Sequence, residues 1–265
     1  SLPGCRMSKK YLLAVDAGNT NVVFAVYDGE MLLDTWRMAT VGNRTADEYA
    51  VWLTQLMSLR GIVPGDVGSA IIATVVPQTL YQLVKLCERY FSCEACVVDA
   101  GMNLGLNIHI DRPNEVGADR LVNAVAAHAR HEGWLIVIDF GTATTLDVVS
   151  AAGDYEGGVI APGVNLSLEA LDRAAAKLPR ITVEKPKHVV GRSTLEAMQS
   201  GVYWGYVDML EGMIQRIQDE VGEPMCVVAT GGLAPLFSDA TDAIDVVESD
   251  LTLFGLYRLH RMKNA

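Results

Sequence analysis

The chain has 265 residues, 21 basic and 32 acidic side chains, a formal net charge of −11, and half its residues are hydrophobic. That composition excludes disorder, collagen and coiled coil. The acidic balance also speaks against binding nucleic acid, which depends on Lys and Arg neutralising phosphates.

Residues 1–10 are polar and lack the apolar centre of a signal peptide. Residues 1–6 read as a cloning remnant, which places the expected natural start at Met7. β-rich runs follow at 11–16, 21–27 and 31–38, separated by turns at Gly18 and Asp28-Gly29. Residues 46–60 have helical spacing behind Thr45 as N-cap, and 78–90 predict a second helix behind Pro77. A third helix is expected over 115–131, after Arg112-Pro113. Residues 194–220 predict the longest helix. There Leu195, Met198, Val202, Tyr206, Met209, Met213 and Ile217 form one apolar stripe, and Trp204 projects from the far side. Strands joined by helical crossovers, after antiparallel hairpins, describe an α/β layer structure. No run of about 20 apolar residues could cross a bilayer. The five scattered cysteines describe no disulfide framework, and Cys93 and Cys96 have the spacing of only half a zinc ribbon. A cytoplasmic protein with no membrane partner is expected.

A weak internal repeat organises the chain. Residues 12–26, LLAVDAGNTNVVFAV, align without a gap on residues 135–149, LIVIDFGTATTLDVV, placing Asp16 on Asp139 and Gly18 on Gly141. Ala70–Thr74 is echoed by Cys226–Thr230. Two halves of one plan are expected, 7–114 and 115–265, with a ligand cleft between them.

The chemistry gathers at the repeated turns. In Asp16-Ala17-Gly18-Asn19-Thr20-Asn21 a buried strand ends in a carboxylate, and a glycine turn follows whose N–H groups and polar side chains can cradle phosphate oxygens. Such a carboxylate can hold a hydrated Mg²⁺ beside the phosphates. A plain hairpin explains one such turn equally well, but the pairing with Asp139-Phe140-Gly141-Thr142 favours a polyphosphate site. Walker-type and G-x-G-x-x-G loops are missing, as are H-E-x-x-H and G-x-S-x-G motifs. In Gly117-Ala118-Asp119-Arg120 an Asp and an Arg open a helix. The Asp there could serve only the helix dipole.

Taken together, DAGNTN at 16–21, GADR at 117–120 and DFGTATT at 139–145 resemble the type III pantothenate kinases. That family belongs to the acetate and sugar kinase, Hsp70 and actin superfamily. GGVIAPG at 157–163, TLEAMQSG at 194–201 and Thr230-Gly231-Gly232 extend the resemblance from about residue 11 to 260. It implies duplicated ribonuclease H-like, actin-like ATPase domains with mixed sheets. It also implies ATP-dependent phosphorylation of pantothenate to 4'-phosphopantothenate, the first step of coenzyme A biosynthesis.

By the same resemblance, Asp16, Ala17, Gly18, Asn19, Thr20, Asn21, Val22 and Val23 form the first phosphate turn, with Asp16 near Mg²⁺, and Thr142 contacts ATP. Asp139 holds a monovalent cation, K⁺ or NH₄⁺. Asp119 is the general base, Gly117, Ala118 and Arg120 hold pantothenate beside it, and Thr194 reaches the substrate from the partner subunit of a homodimer. Gly231 and Gly232 fall at the adenosine-side turn. One departure stands out: a Tyr common in the family before the Asp of a D-x-P segment is Ile110 here, which touches affinity more than reaction type. Three other readings remain. They are a superfamily phosphohydrolase, disfavoured by Arg120; a sugar kinase, disfavoured by GADR; and a non-catalytic accessory regulator, disfavoured because Asp16, Asp119 and Asp139 are all present.

Overall fold

The structure is a computed structural model that describes residues 10–99, 101–174 and 182–264; the expected start at Met7 lies outside them. Tyr11–Ala17 (β1), Asn21–Asp28 (β2) and Met31–Ala39 (β3) run antiparallel in sequence order. Returning parallel to β1 requires a crossover, which Ala46–Ser58 (α1) supplies before Val67–Thr74 (β4). Pro77–Leu86 (α2) then leads to Ala95–Val97 (β5), and the sheet order is β3-β2-β1-β4-β5. Thr45 does cap α1: its hydroxyl accepts the Glu48 N–H while the Glu48 carboxylate accepts the Thr45 N–H. Tyr49, Ala50, Leu53 and Met57 of α1 pack with Leu13, Val15, Phe24 and Val26 on one face of the sheet. Asp16, one residue out of step with Val15 and Ala17, therefore stands on the other face.

The second sheet repeats the plan. Ala118–Arg130 (α3) precedes Trp134–Phe140 (β6), Ala143–Val149 (β7) and Tyr155–Pro162 (β8). Val164–Ala174 (α4) and Thr194–Val221 (α5) follow, then Met225–Gly231 (β9), Ala234–Ser238 (α6), Val246–Val247 (β10) and Leu251–Lys263 (α7). Its order, β8-β7-β6-β9-β10, is the first sheet's order element for element, with the same antiparallel and parallel pairings. Ile136, Ile138 and Phe140 face α5 and α6 in the core, leaving Asp139 on the opposite face, as Asp16 is in the first sheet.

The ungapped repeat fails in one place. The first turn spans 18–20 but the second only 141–142, because β7 begins one residue sooner. Asp16 pairs with Val23, and Asp139 with Thr145, so Val23 and not Val22 is the counterpart of Thr145. In a strand a one-residue slip exchanges the faces, and a gapless alignment places Thr145 on the wrong side.

The chain forms two compact units that interleave in sequence rather than follow one another. Of the described residues, one unit gathers those as far as Gly105, Arg112–Ala126 and those from Thr252 to Asn264; the other holds those of Leu106–Asp111 and Ala127–Leu251. In the first, α7 is held by a Tyr27–Tyr257 ring stack at 5.2 Å, and Gly255 passes so near α3 that a Cβ would lie 2.4 Å from the Val122 carbonyl oxygen.

The long helix keeps its expected stripe apart from Leu195: Met198 and Tyr206 are buried, and Val202, Met209, Met213 and Ile217 are partly buried against the core. Its buried side chains are Met198, Ser200, Tyr203, Tyr206, Val207, Leu210 and Ile214, while Leu195 is exposed. Apolar residues cover more than one face of this helix, and packing on the sheet widens the buried face beyond the expected stripe to Tyr203, Val207, Leu210 and Ile214. Trp204 is half-buried rather than projecting, with its ring edge-on to Tyr203 at 5.0 Å.

Candidate active site

The first turn is tied down on both sides. Gly18 N–H donates to the Asn21 carbonyl at 2.9 Å, closing the turn. From the end of β3, Thr40 N–H donates to the Thr20 carbonyl at 2.9 Å and its hydroxyl donates to the Gly18 carbonyl at 2.7 Å. Asn19 and Thr20 are left exposed at the tip, with Asp16 half-buried at the root. Thr40 carries no sequence signal for this role; only the β2–β3 pairing brings it here.

The helix-opening segment belongs to the same unit. Val75 N–H donates to the Ala17 carbonyl at 3.1 Å, and Val75 Cγ1 lies 3.5 Å from where a Cβ on Gly117 would be. Gly117 therefore sits beside the end of β1. A Cβ there would also fall 2.6 Å from Asp119 Oδ1, so the missing side chain is the room that the carboxylate occupies. Asp119 Oδ1 accepts the Arg120 N–H at 2.8 Å, and both residues are half-buried. One turn further along α3, buried Asn123 accepts the Thr252 hydroxyl at 2.6 Å, anchoring the helix to α7.

In the second unit, Gly141 N–H donates to the Ala143 carbonyl at 3.1 Å, and Gly141 and Thr142 are exposed. Two glycines press on this turn. A Cβ on Gly163 would lie 2.0 Å from the Thr142 carbonyl oxygen; one on Gly231, at φ +94°, would lie 2.6 Å from the Phe140 carbonyl oxygen. Gly231, expected at the adenosine side, thus has a backbone duty at the turn itself. Tyr206 of α5 donates its hydroxyl to the Pro162 carbonyl, holding the strand end that carries Gly163. Asp139 stands between Thr145 of β7 and Thr230 of β9 as register partners. Thr230 is buried, and the Thr145 hydroxyl is buried with no hydrogen-bond partner. A buried unsatisfied hydroxyl is costly, and beside a carboxylate it makes an all-oxygen donor set of the kind hard cations take. The residues at Asp139 thus fit a cation. Thr194 opens α5, exposed, behind Ser193, whose hydroxyl accepts the Glu196 N–H at 3.2 Å.

The family model described as Type III pantothenate kinase matches residues 12–216. The chain belongs to the type III pantothenate kinase family. It is 60% identical over 251 residues to the type III pantothenate kinase of Paramagnetospirillum magneticum, covering 94% of this chain and 96% of that one. To the Rhodospirillum rubrum enzyme of the same description it is 59% identical, over 94% and 98% of the two chains. Among solved structures, the ethanolamine utilization protein EutJ of Carboxydothermus hydrogenoformans matches with a TM-score of 0.56 at 15% identity, over 93% and 89% of the chains. The activator of 2-hydroxyisocaproyl-CoA dehydratase from Clostridium difficile matches with a TM-score of 0.55 at 10% identity, over 96% of each. These two likenesses concern the fold alone.

Proposed function

We propose that this chain transfers the γ-phosphoryl group of ATP to a hydroxyl of pantothenate, giving 4'-phosphopantothenate in coenzyme A biosynthesis. The observation that carries this reading is the Asp119 carboxylate, seated at the start of α3 in the space left by Gly117, within a chain of this family. Asp119 accepts the proton of the attacking hydroxyl, a role typically worth about 10²–10⁴ in rate. Arg120, with Gly117 and Ala118, holds the carboxylate-bearing acceptor. The turn from Asp16 to Val23 and the turn at Thr142 hold the phosphates through backbone N–H groups and hydroxyls. Mg²⁺ near Asp16 and K⁺ or NH₄⁺ at Asp139 would supply charge neutralisation, the main requirement of phosphoryl transfer. The rest of this acidic chain does not supply it.

A homodimer, with Thr194 reaching the neighbouring subunit's substrate, is part of the proposal. Its support is a set of exposed apolar residues in the second unit, Ile160 on edge strand β8, Leu166 on α4, Val190 and Leu195. Among the described residues no helix is long and apolar enough to cross a membrane, and we place the protein in the cytoplasm.

The test is ADP release from Mg-ATP with and without pantothenate, in potassium and in sodium buffer. Release that requires pantothenate and potassium is expected. Release without pantothenate would make this a phosphohydrolase, and silence from folded protein would favour a regulator.

A further inference from the structure

Leu106–Asp111 is a short excursion of the chain, flanked on both sides by segments of the first unit yet packed in the second. Ile108 bridges Tyr155 in parallel fashion at the start of β8. Tyr155 N–H donates to the Asn107 carbonyl at 2.9 Å, and His109 N–H donates to the Tyr155 carbonyl at 2.8 Å. Because alternate residues of paired strands share a face, this bridge sends Asn107, His109, Asp154 and Glu156 to one side. Tyr155 points the other way, where it is buried with its hydroxyl donated to Asp147 at 2.7 Å. The platform under the exposed cluster is therefore fixed.

On it, one ligand-type atom each from His109, Asp154 and Glu156 lies within 4.8 Å of the other two, the only such grouping of His, Cys, Asp and Glu among the described residues. His109 Nδ1 is 3.0 Å from Glu156 Oε1. Asp154 Oδ1 accepts both the Asn107 backbone N–H at 2.8 Å and its side-chain amide at 3.0 Å, which fixes that carboxylate's orientation. We propose that His109, Asp154 and Glu156 form a binding site for a first-row divalent cation of the zinc class. Neither motif pairing nor the phosphoryl-transfer reading accounts for these three residues.

The donor chemistry selects the ion. Two carboxylate oxygens and one imidazole nitrogen form a borderline set, suited to zinc, cobalt or manganese rather than to calcium or magnesium, which take all-oxygen sites. Bonds of about 2.0–2.2 Å draw donors closer than their present spread, and the half-exposed His109 and Glu156 side chains have room to turn inward. Two carboxylates beside one neutral imidazole leave a net negative site, and Asn107 acts as the outer partner that orients a ligand. Three protein ligands leave the remaining positions to water. The bound ion pins residues 107–109 to the start of β8, immediately before Ile110, whose Cγ2 lies 3.5 Å from where a Cβ on Gly157 would be. The excursion that leads into the Gly117–Arg120 segment is thereby held at a defined place.

The test is calorimetric titration of the full chain, free of nucleotide, with ZnCl₂, together with the visible spectrum of the Co²⁺-loaded protein. One equivalent should bind, with the d–d bands of a low-coordinate cobalt site. His109→Ala and the near-isosteric Glu156→Gln should each weaken binding at least about tenfold, while Asp139→Asn should leave it unchanged. A wild-type chain that binds no zinc would overturn the proposal, leaving His109 and Glu156 a hydrogen-bonded pair only. So would zinc binding that survives Glu156→Gln and His109→Ala, or binding abolished by Asp139→Asn, since the ion would then sit at the phosphate turn.

Discussion

Thr145 stands directly opposite Asp139 across the β6–β7 pair, with its hydroxyl buried and without a hydrogen-bond partner, whereas the residue opposite Asp16 in the first sheet is the apolar Val23. The two turns of the repeat are therefore chemically unequal. Only the second has a hydroxyl facing its carboxylate in the ladder. That inequality favours a cation at Asp139 and predicts opposite effects on stability and on ion dependence. Thr145→Val should stabilise the ligand-free fold by about 1 kcal/mol, because an unsatisfied buried hydroxyl is removed, while raising the potassium concentration needed for half-maximal activity. Urea unfolding and a potassium titration read the two effects, and a variant that is less stable with unchanged potassium dependence would refute the assignment.

Asp119→Asn keeps the shape and removes the proposed base. Turnover should fall at least tenfold, and by about 10²–10⁴ where the full effect typical of general-base loss is felt, with ATP affinity nearly intact. Steady-state kinetics and nucleotide binding measured separately make the check, and unchanged turnover would take Asp119 out of the base role.

Gly231 holds φ +94°, and the Phe140 backbone lies where a Cβ on it would go. Alanine there meets both backbone strain and a clash with atoms that cannot swing away, so Gly231→Ala should cost at least about 2 kcal/mol. Gly232→Ala, with open space where its Cβ would be, is the control and should be nearly neutral. Thermal denaturation of the pair distinguishes a backbone duty from a ligand contact, since ligand contact alone would leave both melting temperatures near the parent's.

Arg130 at the end of α3 forms a two-pronged ion pair with Asp250 at 2.8 and 2.9 Å and also meets Glu248, which His131 Nε2 approaches at 2.7 Å. The guanidinium holds the Asp250 carboxyl below the usual carboxylate range. A depressed folded-state pKa contributes stability above the unfolded value near 3.8, and that contribution is lost as pH falls through the folded value. Arg130→Met should therefore destabilise the protein at pH 7, by about 1–3 kcal/mol for lost charged hydrogen bonds, toward the lower end because Asp250 is partly exposed. It should also flatten the acid limb of the stability profile below about pH 4. Unfolding midpoints of both proteins from pH 3 to 7 test this, and parallel curves would count against it.

The elements from β1 to α2, the cap at Thr45, the long helix and the duplicated plan were all legible in the residues. Each rests on local physics: apolar alternation, capping chemistry and glycine turns act over a few neighbours. The carboxylates Asp16, Asp119 and Asp139 were legible for the same reason, as strand-end or helix-opening residues beside glycine. What sequence could not give depends on pairing across distance. The one-residue difference between the turns, the hold of Thr40 on Gly18, and the position of Thr145 against Asp139 are consequences of strand register. The burial of Tyr203 and Leu210 alongside the expected stripe was likewise settled by how α5 met the sheet. The joining of His109 to Asp154 and Glu156 comes from one parallel bridge between segments far apart in the chain. Periodicity specifies that a residue is buried or turns outward, but only the packed sheet decides which other residue it meets.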